Sequence, residues 1–196
     1  MMSAMNEQDR SRLNFENAVR EKFSFLSNFG FAEVEALPTL MVFRMGEVDV
    51  DIYHGRHSYE IGGGISGGGV RYAMSEIVRI SDPEAAIAYR NPIATSKEAI
   101  ADGLEELSAL MQRYGTAPLQ GNSDFFRLLG EQRKYWAEGY AAEVIEEQLR
   151  PLAEEAFRKG NYSKAAELYS RIRQRLSPAE LKKLEFSRKH RGVLPR

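Results

Sequence analysis

Residues 39–62 of the chain read TLMVFRMGEVDVDIYHGRHSYEIG, and apolar and polar side chains alternate along them. Alternation with a period of two is typical of β-strands that bury one face. Met45-Gly46 is a suitable tight turn between the strands Thr39–Met45 and Val48–Tyr53. A second turn follows at His54–His57. The stretch therefore predicts an antiparallel meander.

A third strand, Ser58–Gly62, is predicted after the second turn. Met41 is expected opposite Val50, and Asp51 opposite Glu60. A slip of one residue would send every apolar side chain to the other face, so the separation of apolar from polar residues supports this register. The predicted apolar face holds Met41, Phe43, Val48, Val50, Ile52, Tyr59 and Ile61, and the opposite face holds Arg44, Glu47, Asp49, Asp51, Ser58 and Glu60.

Helical patterns flank the predicted sheet. Apolar residues recur at three- and four-residue steps over roughly Asp9–Ser27, which predicts a helix that packs on the apolar face of the meander. Gly62–Gly69 reads GGGISGGG, and we expect a flexible loop or a bulged continuation of the third strand. The predicted fold class is α+β, with an N-terminal helix on an antiparallel sheet of three or more strands and a mostly helical C-terminal region.

The turn-forming segment Gly115–Ser123 is the best candidate for a domain boundary. It divides an α+β domain, 1–115, from a helical region, 122–196. In that region we expect a helix from Asp124 to about Leu149, with a break near Gly139, followed by a hairpin. The aromatic residues Tyr135, Trp136 and Tyr140 are expected to pack against this hairpin. Ala156, Gly160, Tyr162, Ala165 and Tyr169 stand where a tetratricopeptide repeat places its small, turn and aromatic residues.

One such repeat cannot form a solenoid, and no second copy is found upstream, so the alternative is an ordinary helical hairpin that closes a core. The chain has no cysteine, which fits a reducing compartment and excludes thiol chemistry. Its first residues are polar and no apolar run could span a bilayer, so we expect a cytoplasmic protein without a membrane partner. Residues 151–196 carry 12 Lys/Arg and 5 Asp/Glu, a net charge of +7, whereas residues 1–150 carry a net charge of −8.

The predicted acidic face of the sheet is the sharpest candidate site. Like charges across a strand pair are unfavourable, so Asp51 opposite Glu60 calls for a compensating group. Arg44 could supply it, as could a bound cation or a basic partner protein. Asp49, Asp51, Tyr53 and Glu60 are therefore the predicted partner-binding residues, and an ordinary solvated sheet face is the alternative.

Two histidines, His54 and His57, share the turn with Arg56 and form the only cluster of potential catalytic groups. A third metal ligand is not evident, and a surface turn is the simpler interpretation. The glycine run lacks the Lys-Ser/Thr ending of a phosphate loop. No catalytic residue, metal site or cofactor is predicted, and the basic C-terminus lacks the aromatic residues or recognisable module that would favour nucleic acid.

One resemblance can be stated for the first 120 residues. It rests on Phe15, Ala18-Val19, Phe23, Phe25-Leu26 and Phe29-Gly30-Phe31, then on Val48–Tyr53 and Ser58–Ile61, and on Tyr72, Glu76 and Ile77. This pattern is similar to that of bacterial immunity proteins encoded beside secreted polymorphic toxins. The resemblance implies a small cytoplasmic α+β protein that neutralises a toxin by binding it, and it implies no catalytic residues.

The sequence thus favours a protein that neutralises or regulates another protein, such as a basic toxin or effector, by stoichiometric binding. Two alternatives remain open. The first is a metal-dependent enzyme that acts on a phosphorylated or nucleic-acid substrate through Asp49, Asp51 and His54 or His57. The second is a helical docking module, residues 122–196, that works inside a larger assembly.

Overall fold

The computed structural model describes Arg10 and residues 12–191. The chain forms two compact units that divide between Gln132 and Arg133. This division falls inside a long helix, whereas the predicted boundary, 115–123, lies before it and contains a four-residue helix, Thr116–Leu119. The start of the predicted first helix, Asp9, lies outside the described residues.

The first unit contains a five-stranded antiparallel sheet in the order β1-β2-β3-β4-β5. An antiparallel sheet combined with helices places the protein in the predicted α+β class. Successive strands are neighbours throughout, so the sheet is a simple meander. The strands are β1 (Ala32–Leu37), β2 (Leu40–Met45), β3 (Val48–His54), β4 (Ile61–Gly67) and β5 (Val70–Ala73).

The turn of the first hairpin lies one residue later than predicted. Met45 pairs with Val48, which leaves a two-residue turn, and Met41 is opposite Ile52 rather than Val50. Gly46, the first turn residue, has a φ of 56°, a value that glycine adopts at little cost. The predicted register was therefore wrong by two residues. Because a shift of two keeps each side chain on its face, the predicted division into apolar and polar faces still holds for β2 and β3.

The third strand of the meander begins later than predicted. Strand β4 contains four of the six glycines of the run and pairs Asp51 with Gly64, so the predicted pairing of Asp51 with Glu60 was wrong. Glycine suits this strand because other groups approach its backbone closely. A Cβ atom at Gly63 would lie 2.8 Å from the carbonyl oxygen of Asp51, and one at Gly67 would lie 2.5 Å from the Phe126 ring. Low strand propensity was outweighed here by packing.

The helices of the first unit pack on the apolar face of the sheet. Helix α1 (Phe15–Lys22) buries Phe15 and Val19 and continues into a 3-10 segment, Ser24–Phe29. The core also takes residues from α2 (Met74–Ser81) and α4 (Lys97–Tyr114), and the short helices α3 (Pro83–Ala88) and α5 (Thr116–Leu119) complete the unit. Its largest fully buried side chains are Phe15, Phe23, Leu26, Met41, Ile52, Ile61, Ile65, Met74, Ile77, Ile100 and Leu104.

Helix α6 (Ser123–Arg158) is continuous through Gly139, so the predicted break is absent from it. The second unit consists of the later part of α6 together with α7 (Tyr162–Arg171) and α8 (Pro178–Lys189). Gly160, with a φ of 73°, forms the turn between α6 and α7. The core of this unit comprises Leu149, Ala153, Ala156, Ala165, Ala166, Leu168, Tyr169, Ile172 and Leu184.

The predicted hairpin positions Ala156, Ala165 and Tyr169 are therefore all buried, although a relation to tetratricopeptide repeats stays an interpretation. Tyr135 and Tyr140 are 71% and 69% exposed, so their predicted packing against the hairpin was wrong. No helix among the described residues combines the length and apolarity that a membrane crossing requires.

Candidate polar face of the sheet

The strand register defines a second sheet face, opposite the core, which we call the polar face. On β2 to β5 it consists of Leu40, Val42, Arg44, Asp49, Asp51, Tyr53, Gly62, Gly64, Ser66, Arg71 and Ala73. Only the two glycines are buried, and the other residues are half-buried or exposed. The polar face therefore combines buried glycine backbone on β4 with a small set of larger, more exposed side chains.

The first charged pair on the polar face joins opposite residues of β2 and β3. Arg44 donates from Nε to Oδ1 of Asp49 at 2.6 Å and from Nη2 to Oδ2 at 2.8 Å. This two-point contact matches the planar guanidinium to the planar carboxylate. The hydrogen bonds from Arg44 lower the pKa of Asp49 below its ordinary value. Arg44, which was a predicted compensating group for Asp51 and Glu60, is thus engaged by Asp49 instead.

The second charged pair crosses from β5 to β3, over the strand between them. Arg71 donates from Nε and Nη2 to the two carboxylate oxygens of Asp51, at 2.7 and 2.6 Å. The guanidinium passes above Gly64, where a Cβ atom would lie only 2.8 Å from Cζ of Arg71. The hydrogen bonds to Asp51 raise the pKa of Arg71, and the Asp51 side chain is only 16% exposed. Gly64 is therefore the residue that permits this contact.

Tyr53 lies next to this pair, and its side chain, like that of Arg71, lies over a glycine of β4. Its ring covers Gly62, the residue opposite it on β4, and a Cβ atom at Gly62 would overlap the ring. The Arg71 guanidinium is 5.8 Å from the centre of the ring, within reach of a cation–π interaction. At the far side, Asn91 Nδ2 is 3.5 Å from the Tyr53 hydroxyl. Neighbours on two sides thus fix the Tyr53 ring.

A second tyrosine contacts the same asparagine, Asn91. The Tyr89 hydroxyl donates to Oδ1 of Asn91 at 2.8 Å, and burial raises the pKa of Tyr89 to about 12. Arg71, Tyr89 and Asn91 were not predicted as site residues from the sequence. Arg71 could have been found, because Gly68-Gly69 followed by an alternating segment is a hairpin signal that adds a strand. Tyr89 and Asn91 come from an irregular segment without a periodic pattern.

The four predicted partner-binding residues do not all come together. Asp49, Asp51 and Tyr53 lie side by side on β3. Glu60 immediately precedes β4. Its backbone bridges to Ile93, and its carbonyl oxygen accepts from the Gly55 amide at 2.8 Å. Glu60 was grouped with the others only because the third strand was predicted to start early.

The predicted acid–base candidates are not arranged for catalysis. His54 is 1% exposed, its Nε2 is 2.8 Å from the carbonyl oxygen of Ala94, and its Nδ1 is 3.4 Å from Nη1 of Arg10. Burial, followed by the Arg10 charge, lowers the pKa of His54, so the ring is held neutral. His57 is exposed in the turn. Across Arg10 and residues 12–191, no three histidine, aspartate or glutamate side chains come together as a metal site.

No family model, curated protein or solved structure is significantly similar to this chain.

Proposed function

We propose that the protein acts by stoichiometric binding of another protein, and that the polar face of the sheet is its docking surface. One observation carries this proposal: Tyr53 and Arg71 lie over buried glycines and are held in place by their neighbours. Side chains already fixed before binding lose little conformational entropy when a partner docks. Tyrosine and arginine are also among the residue types that contribute most to binding energy at protein interfaces.

The charge on the β2–β5 part of the polar face is balanced. Its four charged residues form two ion pairs, Arg44 with Asp49 and Arg71 with Asp51. The sequence-based hypothesis relied on an acidic surface that attracts a basic partner, and this balance removes the physical basis for that attraction. The proposal therefore rests on the fixed Tyr53–Arg71 pair and on the apolar Leu40 and Val42 beside it, without a requirement for a basic partner.

The class of partner is proposed on the resemblance alone. A toxin or effector of a polymorphic toxin system is the partner that the immunity-like pattern implies, and neutralisation by binding would be the outcome. The metal-dependent alternative gains no support from Asp49 and Asp51, since both are engaged by arginines. The alternative of a helical docking module stays a prediction.

Affinity capture from a lysate of the native host tests the docking surface. The wild-type chain is compared with Arg44→Ala, which opens one ion pair on the polar face. Exposed ion pairs contribute only about 0.2–1 kcal/mol to stability, so the variant is expected to fold. The matched control is Arg127→Ala, because Arg127 forms an exposed pair with Glu131 on α6.

We expect one protein to be captured in equal molar amount by the wild type and by the Arg127 variant. Its recovery by the Arg44 variant is expected to fall several-fold. Equal recovery by all three chains would exclude Arg44 from the docking surface, and the capture of no stoichiometric protein from cells that express the cognate toxin would contradict the proposed function.

A further inference from the structure

A cleft in the second unit has an unusual concentration of positive charge. It encloses about 460 Å³ and is lined by Ala142 and Ile145 of α6 and by residues 170–175, at the end of α7 and beyond it. Three of the lining residues are arginines, Arg171, Arg173 and Arg175, and no described carboxylate lines the cleft. A volume of several hundred cubic ångströms is typical of small-molecule sites.

The guanidinium groups of two of these arginines are available to bind a ligand. The side chains of Arg171 and Arg173 are exposed and make no hydrogen bond or ion pair with any described residue. Arg175 is partly neutralised, since its Nη1 is 3.3 Å from Oε2 of Glu146. Each guanidinium offers a planar set of donors that matches a phosphate or carboxylate group at two points.

The backbone that carries the arginines is anchored on its other side. Ile172 is buried in the core of the unit, between the two free arginines in sequence. Arg150 donates from Nη2 to the carbonyl oxygen of Arg175 at 2.9 Å, and the same side chain forms ion pairs with Glu146 and Glu180. The three cationic side chains therefore project from a fixed segment, which reduces the entropic cost of closing them on an anion.

The nature of the lining indicates the ligand. Two unpaired guanidinium groups match a dianion, and a phosphate monoester carries about two negative charges near pH 7. The opposite wall contains Ile145, which is 42% exposed, and Ala142, so it can cover an apolar group attached to the phosphate. We propose that this cleft is a binding site for a small phosphate monoester, with its phosphate on Arg171 and Arg173 and its organic group against Ile145.

Calorimetric titration of the full chain with phenyl phosphate tests the site. We expect saturable binding at one site per chain. Binding should be tighter than that of inorganic phosphate, which lacks the apolar group, and tighter than that of benzoate, which carries one negative charge. Benzoate that binds as tightly as phenyl phosphate would overturn the assignment of a dianion. No saturable binding of phenyl phosphate would overturn the site itself.

Variants separate this cleft from general electrostatic attraction. The double variant Arg171→Gln/Arg173→Gln should weaken phenyl phosphate binding by roughly tenfold or more and leave the melting temperature unchanged, since neither side chain has a partner in the described chain. The control Arg158→Gln/Lys182→Gln removes equal charge from exposed positions outside the cleft and should retain binding. Equal losses in both double variants would contradict the proposal.

Two further comparisons identify the source of the phosphate and the role of the wall. Ile145→Ser should weaken phenyl phosphate binding but leave inorganic phosphate binding unchanged. If both ligands respond equally, the apolar wall has no part in recognition. A phosphotyrosine peptide should bind no more tightly than phenyl phosphate, because the cleft is sized for a small molecule. Markedly tighter binding of the peptide would reassign the site to a phosphorylated protein.

Discussion

At the scale of single residues, the buried contact between His54 and Arg10 couples the stability of the first unit to pH. Arg10 is 2% exposed and donates to the carbonyl oxygens of Gly55, at 3.1 Å, and of Arg56. Its guanidinium also lies 4.8 Å from the centre of the Tyr59 ring. Protonation of His54 would place a second positive charge in this buried cluster, beside a cation that cannot lose its own charge.

The pKa of His54 is lowered in the folded state, so the unfolded chain binds a proton more readily than the folded chain. The free energy of unfolding should therefore be highest above the ordinary histidine pKa of 6.5 and should fall as the pH decreases below it. One group can contribute a slope of at most about 1.4 kcal/mol per pH unit.

Chemical denaturation at pH 7, 6 and 5 measures this slope. His54→Gln removes the titrating group and should flatten the dependence over this range, whereas the exposed control His57→Gln should keep the wild-type slope. Carboxylates with lowered pKa values, such as Asp49, add a pH dependence that begins near pH 5 and is shared by the wild type and both variants. An unchanged slope in His54→Gln would show that His54 does not control the acid sensitivity.

At the scale of elements, strand β4 shows what a glycine run can do inside a sheet. Gly62 and Gly64 leave room for the side chains of Tyr53 and Arg71 on the polar face. On the other face, Gly63 lets the Leu107 side chain of α4 approach the strand. A loop of flexible glycines would form none of these contacts. The strand is therefore specified by its neighbours more than by its own residues.

Substitutions to alanine should distinguish the glycines by what surrounds them. At Gly64 a Cβ atom would lie 2.7 Å from the backbone carbonyl oxygen of Tyr72, which cannot move without the strand. Gly64→Ala should therefore cost about 2 kcal/mol or more of stability. At Gly62 the obstacle is the Tyr53 side chain, so Gly62→Ala should cost less and displace the ring instead.

Gly139→Ala provides the matched control, because nothing lies within 4 Å of a Cβ atom at this helical position. It should stabilise α6 by about 0.5–1 kcal/mol. Thermal melts of the three variants measure the order. Gly64→Ala with a wild-type melting temperature would contradict the close packing of β4.

The elements also show what the sequence could and could not predict. Alternation over β2 and β3 identified both strands and their two faces, since apolar and polar side chains there sort by burial alone. The start of β4 and the partner of Asp51 could not be predicted, because Ile61–Gly67 carries only two large apolar side chains. Its glycines are required by the close approach of Tyr53, Leu107 and Phe126, which come from distant parts of the chain. The candidate site was accordingly predicted in part: β3 supplied Asp49, Asp51 and Tyr53, and Arg71 was missed with β5.

Helix α6 contains a long stretch without core contacts. No residue between Leu129 and Leu149 is buried, although the helix continues through the whole stretch. Helical hydrogen bonds on an exposed segment open more readily than those beneath a packed core. We expect amide hydrogens at 133–148 to exchange faster than those at 149–156, as measured by mass spectrometry. Equal protection of the two segments would show that another surface covers the exposed one in solution.

At the scale of the whole molecule, positive charge is concentrated towards the C-terminus, and the structure shows how it is used. In the second unit, Glu146 and Glu180 pair with Arg150, and Glu154 pairs with Lys183. These carboxylates are therefore engaged in ion pairs within the unit. The remaining positive charge includes Arg171 and Arg173, which supports anion binding there, while the first unit presents the balanced polar face.

The proposal that the polar face binds a partner protein through Tyr53 is tested by the affinity of a Tyr53→Ala variant for the captured partner. The control is Ile87→Ala, which truncates a side chain that is 75% exposed on α3. Both variants must first show a cooperative melt like that of the wild type. We expect Tyr53→Ala to weaken binding by about tenfold or more, the effect of removing an interface hot spot, while Ile87→Ala stays close to wild type. Wild-type affinity in a folded Tyr53→Ala variant would exclude Tyr53 from the docking surface.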